Sequence, residues 1–407
     1  MKKIIVIGGG AAGFFAAINA AEQNPKLRID ILERGKEVLQ KVKISGGGRC
    51  NVTHACWIPK ELVKFYPRGG KALLGPFNRF ACGDTLAWFE DRGVKLKEEA
   101  DGRIFPVSND SQSIVDCLME SVRRAGIRVH TQTRVQDIRP LPEGGFEVIT
   151  DKVLKADAIV VTPGSSPAVW SILERLGHQV ITPVPSLFTF NIKDARIKEL
   201  AGISVPNATV EVIGQKKLKA NGPLLVTHWG MSGPGILKLS AWGARWMHEQ
   251  QYRFRIRVHW IPASGNAEEV REAIYARKIG LAKKKVQTNQ QFDLPARLWK
   301  NLCIAAGIDA DIFWADLTKQ QLNNLSQQLA LGEYEVTGKS TFKEEFVTAG
   351  GVALDEVNFT RFESKLIPNL FMAGEVLDID AVTGGFNFQA AWTGGRIIGE
   401  AIGGGNF

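Results

Sequence analysis

The chain has 407 residues, of which 44% are hydrophobic and 23% are charged. These proportions are typical of a folded globular protein and exclude wholesale disorder, and the length indicates two or three domains. No stretch of about 18 uncharged apolar residues follows the N-terminal region, so we expect no membrane span and no membrane partner.

The cysteines are few, odd in number and unpatterned, and no Cys-x-x-Cys pair occurs among them: Cys50, Cys56, Cys82, Cys117 and Cys303. This spacing argues against a redox dithiol or a zinc site, and we expect no metal. The simplest interpretation is a reducing, cytoplasmic compartment.

The formal charge of +9 is unevenly distributed. Residues 186–345 contain 22 basic and 15 acidic residues, an excess of seven positive charges. A basic surface raises the local concentration of anionic partners, nucleic acid included. The alternative is a solvated basic face that binds nothing, and charge alone favours this second interpretation.

The first 23 residues allow two interpretations, because two lysines and an apolar run also begin a secretory signal. Residues 4–7 form a short β-branched run, residues 11–23 have a helical pattern, and residues 27–32 form a second strand. Such a βαβ unit is the context that a Gly-x-Gly-x-x-Gly turn requires. We therefore predict that this segment stays and binds a dinucleotide.

Each glycine of this turn has its own expected role. Gly8 permits the tight turn, Gly10 lets the backbone approach a pyrophosphate, and Gly13 lets helix and strand pack closely. Glu33 follows the second strand, 20 residues after Gly13, where a carboxylate accepts hydrogen bonds from ribose hydroxyls.

Two later glycine-rich segments favour FAD over NAD. The sequence KVKISGGGRCN at residues 41–51 is a loop of backbone donors, and we expect Lys41, Lys43 and Arg49 to offset pyrophosphate charge. Residues 370–375 form a strand that ends in Gly374 and Glu375, and residues 383–389 open a helix that runs to Ala401. The N-terminus of a helix stabilises negative charge, here at the edge of a flavin ring. No second Gly-x-Gly-x-x-Gly occurs, so NAD(P)H is expected only as a transient co-substrate.

Four motifs, in order across nearly the whole chain, resemble the BaiN/RdsA/aminoacetone-oxidase family of FAD-dependent oxidoreductases, also described as YhiN-like flavoproteins. They are GGGAAG at 8–13, ISGGGRCN at 44–51, THWGMSGP at 227–234, and AGE at 373–375 with GGFNFQ at 384–389. The resemblance implies a Rossmann-type, glutathione-reductase-like FAD domain interrupted by an inserted domain. It also implies flavin roles for Ala12, Glu33, residues 45–51, Glu375, Asn387 and Phe388. Trp229 stands where some relatives have Arg, which puts in doubt a substrate contact that needs a positive charge there.

The motifs and the resemblance together assign a set of residues to the cofactor. They are Gly8, Gly10, Ala11, Ala12, Gly13, Glu33, Arg34, Lys41, Ser45, Gly46, Gly47, Gly48, Arg49, Cys50, Asn51, Val135, Thr162, Gly164, Gly374, Glu375, Gly385, Asn387, Phe388 and Gln389.

Two residues are candidate general acids. Cys50 follows the glycine turn, where a thiol with its pKa lowered by Arg49 protonates a substrate carbon. His228 is the second candidate: in this hypothesis its imidazole faces the active site from the inserted domain and acts as the general acid. The structural alternatives are a packing cysteine behind the flavin and a hydrogen-bonded core or hinge histidine.

The chain is predicted to be an α/β protein in three segments. Residues 1–185 form the first part of the FAD domain, residues 186–345 the insert, and residues 346–407 the second part. The insert is expected to contain a β-barrel at about 186–265 and helices at about 266–335. Pro183-Val184-Pro185 marks the change, and further elements are predicted as a helix at 78–93 and strands at 127–131 and 133–138.

Residues 251–260 alternate, with arginines on one side and apolar residues on the other. An amphipathic edge strand is the favoured interpretation, and a basic strip for phosphate backbones is the alternative. The run Lys283-Lys284-Lys285 is likewise either a solvated helix face or a phosphate contact.

The leading hypothesis is an FAD-dependent reductase that is supplied with electrons by NAD(P)H and acts on an activated C=C or C=N bond. The resemblance leaves several substrates open: a steroid-like enone, reduction of a uridine in ribosomal RNA to dihydrouridine, or a small amine in the oxidase direction. A non-catalytic flavin-binding sensor or assembly factor is the alternative class. The partner is thus a small molecule or ribosomal RNA, and the sequence leaves the oligomeric state open.

Overall fold

The computed structural model of the protein describes residues 1–340 and 347–405. The elements up to the first domain boundary are β1 (Lys3–Ile7), α1 (Ala11–Gln23), β2 (Arg28–Leu32), α2 (Gln40–Gly48), β3 (Thr53–His54), α3 (Pro59–Leu62), α4 (Gly70–Phe77), α5 (Cys82–Glu90), β4 (Leu96–Glu98), β5 (Arg103–Pro106), α6 (Gln112–Arg124), β6 (Arg128–His130), β7 (Asp137–Pro140), β8 (Phe146–Ile149), β9 (Val153–Ala156), β10 (Ala158–Val161), α7 (Pro167–Arg175) and β11 (Val180–Ser186).

The middle of the chain contains β12 (Thr189–Asn191), β13 (Ser204–Val212), β14 (Lys219–Val226), β15 (Gly230–Ser232), α8 (Pro234–Glu249), β16 (Phe254–His259), α9 (Ala267–Gly280), α10 (Ala296–Ala305), α11 (Lys319–Ala330), β17 (Gly332–Val336) and β18 (Gly338–Ser340). The last described segment contains β19 (Val347–Val352), β20 (Val357–Asn358), β21 (Glu363–Ser364), β22 (Leu370–Met372) and α12 (Phe386–Gly403). No helix among these residues is long and apolar enough to span a bilayer.

The chain divides into two compact units. The first contains Met1–Val184 and the described residues 347–405, and the second begins at Pro185 and includes the described residues to 340. The first unit is therefore built from two segments that are separated by the second unit in the sequence.

A parallel sheet organises the first unit, in the order β22-β10-β1-β2-β6, with β21 and β20 added antiparallel at one edge. The central strands β1 and β10 are continuous apolar runs whose side chains are buried, as expected for strands covered on both faces. In a doubly wound sheet, ligands bind at the carboxyl ends of such strands.

Helices α1 and α12 pack side by side in parallel because glycines of α12 face the backbone of α1. A Cβ atom at Gly395 would lie 2.7 Å from the Ala12 oxygen, and one at Gly399 would lie 3.1 Å from the Ala16 oxygen. The contacts of Gly395, Gly399 and Gly403 place α12 so that it begins about five to six residues before the level at which α1 begins, which is about 8 Å along the axis. Both N-termini therefore point the same way, at different heights.

Two predicted elements of this unit need correction, whereas the predicted boundary at Pro183-Val184-Pro185 coincides with the end of the first unit at Val184. The helix predicted from Asn78 begins only at Cys82, because residues 78–81 form the turn that ends α4, and the Asp84 side chain accepts a hydrogen bond from Ala81 N. The strand predicted from Thr133 begins at Asp137. Pro183 and Pro185 lie inside β11, which pairs with β19 in a two-stranded sheet. Such an edge tolerates proline because it does not require every N–H group.

The second unit contains a seven-stranded sheet in the order β17-β16-β13-β14-β15-β12-β18. Its two outermost strands, β17 and β18, are consecutive in the chain, so the sheet closes on itself as a barrel. Helices α9, α10 and α11 share one hydrophobic core with the sheet, and this core contains the buried side chains of Trp260, Trp299 and Trp314. Strand β16 pairs on both sides, so the prediction of an edge strand is wrong.

Candidate cofactor and active site

The first glycine turn connects β1 to α1 and combines two tight contacts with one open position. A Cβ atom at Gly8, where φ is +109°, would lie 2.3 Å from the Thr162 oxygen, and one at Gly13 would lie 2.2 Å from the Gly8 oxygen. Around Gly10 there is no atom within 4 Å of a Cβ position. Gly10 also precedes α1 without a capping side chain. The first N–H groups of α1 are therefore free for an anionic ligand.

Thr162 supports this turn from the protein side. It is 4% exposed, and its hydroxyl donates to the oxygens of Ile7 and Gly8 at 3.3 and 3.4 Å. The hydroxyl of Thr162 thus shapes the turn, and a contact of this residue with the cofactor stays a prediction.

Glu33 lies at the carboxyl end of β2 and closes the turn from the other side. Its carboxylate accepts hydrogen bonds from Gly9 N at 2.9 Å and from Gly35 N at 2.7 Å. A cleft beside it collects residues from four segments of the first unit: Ile7, Gly8, Leu32, Glu33, Arg34, Thr133, Arg134, Val135, Pro163, Ser166, Ala168 and Val169. The structure thus brings the predicted Glu33, Arg34 and Val135 to one cleft, and its apolar and carboxylate lining suits an adenine and its ribose.

The end of β22 meets the same region. A Cβ atom at Gly374 would lie 3.6 Å from the Ala12 Cβ, and one at Gly164 would lie 3.5 Å from the Glu375 Oε2. Glu375 forms an ion pair with Lys41 of α2, with an Nζ–Oε2 distance of 2.5 Å. The predicted residues Ala12, Lys41, Gly164, Gly374 and Glu375 therefore lie together.

The second glycine turn leaves helical geometry where the sequence places its glycines. Ser45, Gly46 and Gly47 depart from the helical conformation of α2, and the φ angles of Gly46, Gly47 and Gly48 lie between +58° and +82°. Gly47 and Gly48 are exposed, and a Cβ atom at either would meet nothing within 4 Å. The turn is therefore open to a ligand.

Asn51 joins this second turn to the start of α12. Its side-chain amide donates to the Thr53 oxygen at 2.9 Å and accepts from Gly385 N at 3.0 Å. Gly385 has φ +91°, and a Cβ atom there would lie 2.6 Å from the Thr53 oxygen. Segments more than 330 residues apart thus meet at the N-terminus of the last helix.

Two further side chains hold this helix start, and the sequence analysis assigned neither of them to the site. His54 Nδ1 lies 3.0 Å from the Gly384 oxygen, and Tyr66 Oη donates to the Phe386 oxygen at 2.6 Å. The His54 ring packs on Phe386 with 4.5 Å between centroids. Burial lowers the pKa of His54, so the neutral ring donates Nδ1–H to the carbonyl.

A buried ion pair was also missed. Arg68 donates two hydrogen bonds to Asp380, and the Asp380 side chain is fully buried. Asn387, a predicted cofactor residue, hydrogen-bonds both the N–H and the oxygen of Ala381. Both contacts fix the loop that leads into α12. A carboxylate inside the apolar run from Val376 to Val382 was the available signal in the sequence.

The predicted contact of Gln389 with the cofactor needs correction, while those of Arg49 and Phe388 stay predictions. Gln389 is fully buried, and its amide interacts with the hydroxyls of Thr53, Thr85 and Thr393, so it supports α12 from inside the protein. The Arg49 guanidinium lies 2.6 Å from Glu99, which already balances its charge. Phe388 is half-buried and stacks on Trp392 at 5.7 Å between ring centroids.

The expected acidity of Cys50 is wrong. Its side chain is fully buried, and burial raises the pKa of the thiol to about 12, although Ser45 hydrogen-bonds it. Arg49 does not offset this burial because it pairs with Glu99. A buried thiol with a raised pKa is a poor proton donor, so the structure favours a packing cysteine behind the glycine turn.

His228 lies in the second unit, in the tight turn between β14 and β15. The turn is closed by a hydrogen bond from Thr227 N to the Gly230 oxygen at 2.8 Å, and both His228 and Trp229 are exposed. A core histidine is therefore excluded, while a catalytic role for His228 stays a prediction.

The residues present fit an extended dinucleotide. Open glycine positions lie at the N-terminus of α1 and at Gly47 and Gly48, and the two helix N-termini offer N–H groups about 8 Å apart in height. No group of His, Cys, Asp and Glu suited to a metal ion occurs in the part of the chain that the structure describes. The fold and the site define a flavoprotein oxidoreductase with a Rossmann-type FAD-binding domain.

Comparison with known proteins agrees with this class. The chain belongs to the family described as the HI0933-like protein Rossmann domain, whose model matches residues 2–401.

Among characterised relatives, the chain is 27% identical to a 3-dehydro-bile acid delta(4,6)-reductase of Clostridium scindens, over 98% of this chain and 99% of that protein. It is 28% identical to a ribosomal RNA dihydrouridine synthase of Haemophilus influenzae, over 96% and 95%, and 26% identical to the enzyme of that name in Escherichia coli, over 96% and 95%.

Two solved flavoenzyme structures share the fold. A 3-ketosteroid-delta4-(5alpha)-dehydrogenase from Rhodococcus jostii has a TM-score of 0.52 at 15% identity, over 99% of this chain and 97% of that chain. A flavocytochrome c3 fumarate reductase has a TM-score of 0.51 at 14% identity, over 99% and 78%.

Proposed function

We propose that this protein is a reductase that takes electrons from NAD(P)H and reduces an activated C=C or C=N bond. The observation that carries the proposal is the meeting of the glycine turn at 45–51 with the N-terminus of α12 through Asn51. This arrangement presents helix N–H groups beside an open turn, the environment that stabilises charge developing on a flavin ring. The reductase named among the relatives supports a C=C substrate.

The residues of this chain bind and orient the cofactor in three places. The N-terminus of α1 receives the pyrophosphate, whose charge Lys41 offsets, Glu33 binds the adenosine ribose, and Glu375 binds the ribityl hydroxyls on the flavin side. Bound FAD supplies the hydride chemistry. His54, Tyr66 and Asn51 keep the first turn of α12 in place by hydrogen bonds to its backbone.

A transient co-substrate is the economical source of electrons. The sequence contains one Gly-x-Gly-x-x-Gly turn, which we assign to FAD, and no second turn of this kind to hold a nicotinamide dinucleotide. We infer that NAD(P)H binds, reduces the flavin and leaves before the substrate is reduced.

The test is an anaerobic titration of the purified protein with NADH and NADPH. We expect the absorbance at about 450 nm, typical of an oxidised flavin, to bleach and to return when an enone or an imine is added. Mass spectrometry of the copurified ligand should identify FAD. Failure of both nucleotides to bleach the flavin, across a broad acceptor panel, would favour the non-catalytic flavoprotein instead.

Ribosomal RNA is the second candidate substrate, in which a uridine is reduced to dihydrouridine. The observation that favours it is the excess of basic residues in the insert, 22 against 15 acidic. Two relatives named ribosomal RNA dihydrouridine synthases support it. Mass spectrometry of ribosomal RNA from a deletion strain tests it, since an unchanged dihydrouridine level removes this candidate.

A further inference from the structure

The positive charge of the second unit is concentrated in one segment. Residues 214–253 contain six basic residues and a single acidic one, Glu249. This segment comprises the turn after β13, strands β14 and β15, and helix α8. Helix α8 and the turn before β14 contain four of these six basic residues, whereas Lys219 of β14 lies 3.8 Å from Glu211.

Helix α8 carries one exposed tryptophan and a second that is only partly exposed and packs against the hydrophobic core of the unit. Trp242 is 44% exposed, and Trp246, one turn later, is partly exposed with its ring 5.7 Å from that of Phe254. Lys238 lies one turn before Trp242 and is exposed. Side chains four residues apart lie above each other on a helix, so these three form a continuous row.

The turn before β14 brings two more lysines to this row. A Cβ atom at Gly243 would lie 3.1 Å from the Leu218 Cδ1, so the turn packs directly against α8. Lys216 and Lys217 stand in this turn and are exposed. A glycine in the helix permits this approach.

Other basic groups of the insert are already neutralised by carboxylates. Arg257 pairs with Glu211 at 2.9 Å and with Glu333 at 3.0 Å, and Arg255 pairs with Glu333 at 3.4 Å. Lys285 pairs with Asp311 at 2.6 Å. The strip predicted on residues 251–260 is thus a row of ion pairs between strands, and its arginines are less available to phosphate.

We propose that an unpaired segment of RNA binds the α8 face, defined as Lys216, Lys217, Lys238, Trp242 and Trp246. Flat aromatic rings stack on exposed bases, and lysines beside them bind the phosphate backbone. A solvated basic face would need no exposed tryptophan, and an acidic protein, to which a tryptophan also offers contact area, is the competing outcome of the test. This inference rests on the RNA candidate above, and it adds the surface by which the RNA is held.

The test measures binding of a labelled single-stranded RNA to the full-length holoprotein by fluorescence anisotropy. Trp242→Ala should weaken binding about tenfold, because stacking of one base contributes about 1–3 kcal/mol. The double variant Lys216→Glu/Lys217→Glu should reduce the dependence of log Kd on log salt by about one unit or more. The matched controls are Tyr275→Ala, an exposed aromatic on α9, and Lys283→Glu/Lys284→Glu, an exposed basic pair outside the α8 face.

The proposal holds if the variants of the α8 face lose affinity for the single-stranded RNA and the control variants keep it. The unsubstituted protein should also bind a duplex of the same sequence more weakly. Equal losses in the controls would overturn it, since binding would then follow net charge alone. Displacement of the RNA by polyglutamate at equal charge concentration would also overturn it and favour an acidic protein. Each variant is also titrated with NADPH. If the protein binds RNA through the α8 face but forms no dihydrouridine, the proposed binding surface is supported and RNA is removed as the substrate.

Discussion

Lys41 and Glu375 form an ion pair with 2.5 Å between Nζ and Oε2, although 334 residues separate them in the chain. The pair connects α2, which leads into the second glycine turn, with Glu375, three residues after the end of strand β22. The Lys41 side chain is 49% exposed and that of Glu375 16% exposed. A pair so accessible to water contributes little to stability, and its position beside Gly164 and Gly374 points to a ligand-binding role.

Glu375→Gln should therefore weaken FAD binding at least about tenfold while changing the free energy of unfolding by less than about 1 kcal/mol. The amide keeps the size of the side chain but cannot accept hydroxyl hydrogen bonds with a full charge. Titration of the apoprotein with FAD, followed by flavin fluorescence, measures the affinity. Glu37→Gln is the control, because Glu37 is an exposed carboxylate 4.0 Å from Lys43. Equal effects of the two substitutions would contradict the assignment.

Substitutions at two glycines of the first turn should have different effects, one on folding and the other on FAD binding. Gly13→Ala places a Cβ atom 2.2 Å from a backbone oxygen, so we expect loss of soluble folded protein. Gly10→Val meets no protein atom within 4 Å of its Cβ and should fold with a near-native thermal midpoint. It should nevertheless lose FAD, because its side chain occupies the approach of the pyrophosphate. A Gly10→Val protein that retains stoichiometric FAD would refute this placement.

Gln389→Leu should lower the free energy of unfolding and leave the FAD affinity nearly unchanged, the opposite of the effect expected for Glu375→Gln. The substitution leaves buried threonine hydroxyls, Thr53 above all, without the amide, at a cost of about 1–3 kcal/mol. FAD affinity of the protein that remains folded should change less than threefold, a bound of about 0.7 kcal/mol. Urea unfolding and FAD titration measure the two quantities. If affinity falls while stability is unchanged, Gln389 contacts the cofactor as the sequence predicted.

His54 gives the protein a pH dependence with a defined sign. Because burial lowers the pKa of His54 from 6.5 in the folded state, the unfolded chain binds this proton more readily. The contribution to stability is therefore complete above pH 6.5 and is lost as the pH falls through the lowered pKa. His54→Asn keeps an N–H donor for the Gly384 oxygen and should flatten this part of the stability curve. An unchanged curve in the variant would assign the pH dependence to other groups.

Cys50 should resist alkylation in the native protein. Its thiol is fully buried with a pKa raised to about 12, whereas Cys56 is partly exposed. Iodoacetamide at mildly alkaline pH should modify Cys56 first and Cys50 only after unfolding, as measured by peptide mass spectrometry. Cys50→Ser should keep flavin reoxidation by substrate, and loss of reoxidation in a correctly folded variant would restore its role as an acid.

Helices and strands were predicted with nearly correct bounds wherever a single local sequence pattern dominated. The apolar run at 4–7, the glycines after it and the Asn-Pro at the end of α1 define a strand, a turn and a helix with near-correct bounds. Where tertiary contacts competed with local pattern, the predictions failed. Asn78 has helical neighbours, yet the turn after α4 takes this position and delays α5 to Cys82.

For the site, the sequence by itself determined which residue types are present at turns: glycines that need positive φ or close approach, and carboxylates after strands. Only the tertiary structure decided which of them point to open space. A Cβ atom at Gly10 or Gly48 would meet no protein atom within 4 Å, while Gln389 and Cys50 are enclosed by protein. The physical reason is that burial and charge compensation depend on partners distant in the chain. Three threonines surround the amide of Gln389 and give it a structural role in place of the predicted contact with the cofactor, and Glu99 supplies a charge partner for Arg49 that the sequence did not indicate.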